Sequence, residues 1–264
     1  MEDLSFYNAE GTTLRKAQMI MLQILITFDA ICKKNNIPYW LSGGTLLGAK
    51  RHKGFIPWDD DLDVEVLQSD YQRLLSVLER ELPSDMRLQT KKTDKNYIFE
   101  FAKIRDTKSY FAEDQNEKHH FKYNGIFIDI FPVEACLSLC LKHKFDRIRI
   151  RYTNRKFSKN FLGRCFNTAI GALLPLYYLY KYTARFLCKL LKIKRYSLSP
   201  GIFFYNTRNI DKVFPLKTIE FEGHRFNCPC DADAYLKSLY GEEYMIAPPF
   251  EERLIHASKI EIYE

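Results

Sequence analysis

Residues 39–66 read YWLSGGTLLGAKRHKGFIPWDDDLDVEV. Four of the five residues from Asp59 to Asp63 are aspartates, preceded by Ser42-Gly43-Gly44 and the basic run Lys50-Arg51-His52-Lys53. Like charges this close repel, and apolar neighbours such as Trp58 and Leu62 make ionised carboxylates harder to accommodate. The run therefore calls for a positive counter-charge. Leu62 to Val66 alternates apolar and acidic residues with period two, the pattern of a half-buried strand. Asp61 and Asp63 then share a face, Asp59 follows in the same phase, and Asp60 has the opposite phase and is expected to be exposed. Paired carboxylates at the start of a strand make a divalent-cation site, because Mg²⁺ sits between one or two carboxylates and substrate phosphates. Mn²⁺ is the alternative ion. YWLS reads as a short strand, Gly43-Gly44 as a turn and TLLGAKRH as a short helix from that turn. Its small residues and helix N-terminus allow backbone amides to approach a phosphate. Trp58 reads as a packing residue beneath the acidic loop.

Working outward, GIFIDIFPV (125–133) places Asp129 among apolar residues on both sides, an odd position for a solvent-facing acid. If its strand lies beside that of Asp63, three carboxylates converge and a metal supplies the missing positive charge. Lys103 and Arg105 lie two apart in YIFEFAKIR and share a strand face. Two readings stay open for them: neutralising a phosphorylated ligand, with Arg capable of a bidentate contact, or forming a solvated edge-strand face. Arg51, His52 and Lys53 carry the same two readings.

Residues 13–34 form an apolar-periodic stretch without Pro or Gly and predict a helix that Ile37-Pro38 ends. Ser69 is a candidate N-cap for a helix over DYQRLLSVLEREL, stopped by Pro83. Strands are expected at MRLQT, YIFEFAKIR, SYFAE and GIFIDIFPV, a hairpin turning at Glu222-Gly223, and a last helix capped by Asp231 and closed by Gly241. The order predicts an α+β fold, a mixed sheet flanked by helices and interrupted by a basic helical insertion. The expected division is a catalytic core over 1–140, the insertion over 141–197 and the rest of the core over 198–264. Seven cysteines without regular spacing fit neither a disulfide framework nor a zinc set, so a reducing compartment is expected. The polar, acidic start MEDLSFYNAEGTT does not read as a secretory signal.

The net charge of +7 hides an asymmetry: Lys142–Arg195 carries fifteen Lys/Arg and the single acid Asp146, or +14, and the remainder is −7. Two helices are expected there, with a break near Gly163–Thr168. CFNTAIGALLPLYYLY (165–180) is too short to cross a bilayer, which takes about 20 residues, and contains Pro175. KYTARFLCKLLKIKRY (181–196) spaces Lys181, Arg185, Lys189 and Lys192 three or four apart with apolar residues between them. That profile predicts contact with an anionic membrane surface; the competing reading packs the apolar face on the core and leaves the basic face in water. Nucleic acid is a disfavoured partner, because no RNA-binding motif is present.

The apolar residue before Gly-Gly, the Asp-x-Asp strand and the later Asp between apolar residues resemble the nucleotidyltransferase superfamily, to which polymerase β belongs. More closely, residues 39–66 with FAKIRDT, GIFIDIFPV and YLKSLYGEEYMIAPP resemble the LicD family of phosphocholine transferases, related to fukutin and fukutin-related protein. The likeness spans about Leu14–Val133 and Cys228–Pro249 and says little about the basic segment. It implies transfer of a phospho-alcohol from CDP-choline or another CDP-alcohol to a glycan hydroxyl, with release of CMP. Lipopolysaccharide, teichoic acid and capsule intermediates are all compatible acceptors. Carried over by position, Asp61, Asp63 and Asp129 are the catalytic metal-binding set, with Asp59 as a further ligand or supporting group. Ser42, Gly43, Gly44, Lys103 and Arg105 would face the nucleotide phosphates. The implied location is cytoplasmic, peripheral at the inner membrane face. The rival readings are NMP transfer from an NTP to RNA or a small molecule, and a non-catalytic scaffold, whose mark would be loss of one of these acids.

Overall fold

The computed structural model of the chain describes residues 6–113, 118–153, 160–253 and 257–263. The first helix, α1 (Thr13–Lys34), has the expected bounds. The Thr12 hydroxyl caps it by accepting from the Arg15 amide, and Ala17, Met21, Leu25, Phe28 and Cys32 bury one stripe. Next come β1 (Tyr39–Leu41), α2 (Gly43–His52) and β2 (Asp63–Leu67). Helix α3 (Gln68–Glu81) starts one residue before Ser69, whose hydroxyl donates to Asp70 and caps nothing. Strands β3 (Met86–Gln89), β4 (Ala102–Asp106), β5 (Ser109–Ala112) and β6 (Phe127–Ala135) follow. Only the second half of YIFEFAKIR is strand. Its first half is irregular and held by an aromatic cluster of Tyr97, Phe99, Phe101 and Phe121.

Among the described residues the basic segment holds three helices where two were expected: α4 (Leu139–Thr153), α5 (Phe161–Gly171) and α6 (Leu174–Leu190). Gly163–Thr168 does not break the chain; it lies inside α5. The break falls at Ala172-Leu173, with Pro175 in the first turn of α6, where a missing N–H costs nothing. Residues 154–159 of the predicted insertion lie outside the described part. The chain then returns through β7 (Arg195–Leu198) and β8 (Arg208–Asn209). The hairpin β9 (Lys217–Phe221) and β10 (His224–Cys228) turns at Glu222 and Gly223, both with positive φ. Helix α7 (Ala232–Tyr240) is capped by Asp231 accepting from the Ala234 amide, and β11 (Lys259–Ile262) pairs with β5.

The main sheet runs β1-β2-β6-β4-β3, with β7 added to β6 and β8 to β7. It is mixed: β2 and β6 are parallel, and the other pairs are antiparallel. The fold is α+β, as the order of elements predicted. Strand β4 lies between β3 and β6, so Lys103 and Arg105 are not on a solvated edge; both are buried.

Candidate active site

Register places the functional residues. Asp63 on β2 pairs with Asp129 on β6, and Asp129 pairs with Lys103 on β4. Acid, acid and amine thus stand in one row across three neighbouring strands, each about 4.8 Å from the next. Lys103 Nζ lies 3.0 Å from Asp129 Oδ1 and 3.2 Å from Glu113 Oε1, over the face of Phe127. Arg105 donates to Gln89 (2.6 Å), the Gly125 carbonyl (2.8 Å) and Glu113 Oε2 (2.8 Å). Its guanidinium braces Glu113 in the interior, and Glu113 in turn positions Lys103.

The acidic turn joins this row from the β1 side of the sheet. Strand β2 begins at Asp63, so Asp59, Asp60 and Asp61 precede it and no strand phase applies to them. Asp59 and Asp61 are nevertheless hydrogen-bonded partners, and Asp63 feels the charges of Asp61, Asp129 and Asp59. Asp60 departs from its expected exposure. It is buried and accepts from the Ala257 amide at 2.7 Å, pinning the turn to the C-terminal segment. Trp58 is a packing residue, buried with the Arg253 guanidinium 4.6 Å over its ring.

Helix α2 closes the other side. A Cβ on Gly43 would lie 2.8 Å from Asp63 Oδ2, and one on Gly44 would lie 2.8 Å from Asp59 Oδ2. The two glycines are there because the backbone passes against two carboxylates. Gly43 also has φ +53°, which disfavours a side chain independently. The Asp63 amide donates to Thr45 Oγ1 at 2.7 Å, and the Ser42 amide donates to the Asp63 carbonyl at 3.1 Å. These bonds lock the glycine segment to β2. The Ser42 hydroxyl points inward to the Tyr235 hydroxyl, 2.9 Å away.

Electrostatically the cluster is under-compensated. Burial pushes the Asp59 and Asp63 carboxyls well above the usual carboxylate range, and their acidic neighbours push them further. Burial raises Asp129 to about 6 even with Lys103 beside it. Arg51 is the other nearby cation, favouring the ionised form of Asp59. Asp59, Asp61 and Asp63 remain half-buried, so the cluster opens to solvent on one side. Asp129 Oδ1 is buried without a hydrogen bond of good geometry, although Lys103 is close.

Such a set of hard oxygen donors fits Mg²⁺ or Mn²⁺. Asp63 and Asp129 would hold the ion, with Asp61 and Asp59 beside them. Among the described residues no three acidic, His or Cys side chains are grouped so as to hold a metal ion, and the fit rests on the chemistry of the donors alone.

Sequence reasoning passed over two residues here. Glu113 ends the SYFAE run, and only the fold shows that it bridges Lys103 and Arg105. Tyr240, the last residue of α7, brings its hydroxyl to 3.7 Å from the Cβ position of Gly43. Burial raises its pKa there, and the charges of Asp63, Asp59 and Asp61 raise it further. Its block, YLKSLYGEE, was visible, but nothing in the spacing linked it to the acids.

A profile described as "LicD/FKTN/FKRP, nucleotidyltransferase domain" matches residues 36–165, which span β1, α2, β2, β4 and the Asp129 strand. The lipopolysaccharide cholinephosphotransferase LicD of Haemophilus influenzae is 33% identical over 263 residues, covering 92% of this chain and 96% of that protein. The chain belongs to the LicD family. The ribitol 5-phosphate transferase FKRP of Homo sapiens is 53% identical over 34 residues, 13% of this chain and 7% of its own. An uncharacterised Rickettsia typhi protein is 31% identical over 144 residues, 51% of this chain and 42% of its own. As a LicD family member the chain is a LicD-type phosphotransferase.

Proposed function

We propose that this protein transfers phosphocholine from CDP-choline to a hydroxyl of a cell-surface glycan, releasing CMP. The acceptor in this reading is a lipopolysaccharide, teichoic acid or capsule intermediate at the cytoplasmic face of a membrane. The observation that carries it is the Asp63–Asp129–Lys103 row beside the glycine segment. The likeness to a lipopolysaccharide cholinephosphotransferase supports transfer of a phosphocholine-type group to a glycan.

The chemistry suits the residues. The acceptor oxygen bonds to the phosphorus that carries choline, the bond from that phosphorus to the bridging oxygen breaks, and CMP leaves with the electron pair. The acceptor proton passes to a base. Asp129, beside Lys103 in the row, is the carboxylate placed to accept it. A bound divalent cation supplies charge neutralisation for the diphosphate. Lys103 holds Asp129 in place, and Arg51 is a second cation whose charge favours the ionised form of Asp59. The first amides of α2 have no partners within the helix and are available to a phosphate oxygen.

The test is CMP release from CDP-choline and CDP-ribitol with a glycan acceptor, with Mg²⁺ or with chelator. CMP release from CDP-choline that disappears with chelator is expected. Turnover of nucleoside triphosphates alone, or CMP release indifferent to chelator, contradicts the reading.

A further inference from the structure

Helix α6 is mounted with its polar side inward. Tyr177 and Cys188 are buried against the body, and Arg185 Nε donates to Glu134 Oε2 at 2.6 Å. Lys181, between them on the same side, is half-buried within reach of the Glu134 and Asp146 charges. The opposite face is apolar and open: Leu176, Leu179, Phe186 and Leu190 are 49%, 60%, 66% and 64% exposed. Their spacing follows the helical period. Helix α5 adds Phe161 and Leu162, 71% and 79% exposed, and Phe166 at 60%. A helix that packs on a protein core and lies in water shows the reverse arrangement. On α6 the apolar face is thus turned outward, with Lys181 and Arg185 half-buried on the inward side and Lys189 exposed.

We propose that the outward faces of α5 and α6 dock on an anionic lipid bilayer. Three exposed basic residues accompany the apolar patch: Arg164 on α5, and Lys189 and Lys192 at the end of α6, where they line the cleft shared with Arg185 and Cys188. None of the three has an acidic partner among the described residues. An apolar face at the acyl boundary with cations at headgroup level is the arrangement of an interfacial helix. No helix among the described residues is long and apolar enough to cross a membrane, so the segment lies on the surface. A second copy of the chain is a poorer occupant. A dimer through this patch would bring two segments of charge +14 face to face.

The docking element is tied to the catalytic strand, because Glu134 and Asp129 both lie on β6. A bilayer held by α6 thus has a direct link to the site. That consequence rests on the proposed function; the docking itself does not, and vesicle binding is read without donor or acceptor.

The experiment is flotation of the full chain with vesicles of phosphatidylcholine alone, or of phosphatidylcholine mixed with phosphatidylglycerol. Two variants accompany it, Leu179→Glu/Phe186→Glu and Lys189→Gln/Lys192→Gln, all at exposed positions and checked for wild-type melting. The wild type is expected to partition onto anionic vesicles at least about tenfold better than onto neutral ones, and each variant to lose about tenfold or more. Equal binding to the two vesicle types, variants that bind like the wild type, or no vesicle binding at all would overturn the proposal. So would a dimer in sedimentation that Leu179→Glu/Phe186→Glu splits.

Discussion

Asp63→Asn is expected to lower turnover by at least roughly a thousandfold while raising the melting temperature of the metal-free protein. The two effects come from one charge. In catalysis the carboxylate is needed as a hard anionic ligand, and an amide of the same shape cannot replace it. In the metal-free fold the same carboxylate is a liability, pushed well up by burial and by Asp61, Asp129 and Asp59. The pH dependence follows from the sign of that shift. A carboxyl raised in the folded state binds its proton more tightly there than in the unfolded chain, so stability falls as pH rises between the two values. For Asp129 that window runs from the ordinary value near 3.8 to about 6. The cluster's own contribution to the stability of the metal-free protein therefore falls from about pH 4 upward, and falls less in Asp63→Asn. Thermal melts with chelator at pH 5 and pH 8, beside a CMP-release assay, read both effects. A tenfold or smaller loss of turnover, or a metal-free variant less stable than wild type, contradicts the assignment.

Lys103→Met is expected to destabilise the fold by about 3–5 kcal/mol, the cost of removing one partner of a buried ion pair. Lys103 is 2% exposed and holds both Asp129 and Glu113. Glu113 keeps Arg105 after the change; among the described residues Asp129 keeps no cation in contact with it, and it must stay protonated or suffer burial as an anion. The defect should shrink below about pH 6, where Asp129 is protonated in the wild type as well. Melting of the full chain across pH checks this, with Lys103→Arg as the variant that retains charge. A Lys103→Met protein that melts like wild type at pH 8 would show that the row is not coupled as described.

Part of this arrangement is legible in the sequence. Asp129 stood out because a strand of Ile and Phe has no reason to carry an acid unless the acid is used. Its pairing with Asp63 needed only the adjacency of two strands. Asp59 and Asp61 were brought to the site by an argument of strand phase that does not apply, since β2 starts at Asp63. The turn before it, fixed by Asp60 on the Ala257 amide, does the placing. That bond joins residues 197 apart in sequence, and no local pattern encodes it. Arg105 was ambiguous for a similar reason: its partners come from β3, the Gly125 loop and Glu113. The two faces of α6 were legible, but which one meets the body depends on Glu134, on another element. Periodicity describes a helix's faces and is silent about the surface that receives them.

The most direct test is anomalous diffraction from crystals grown with Mn²⁺ and CDP-choline. The account predicts a manganese peak within coordination distance of both Asp63 and Asp129, next to the donor's diphosphate. A peak that leaves either carboxylate out, or donor bound elsewhere with no metal beside these two aspartates, would contradict it.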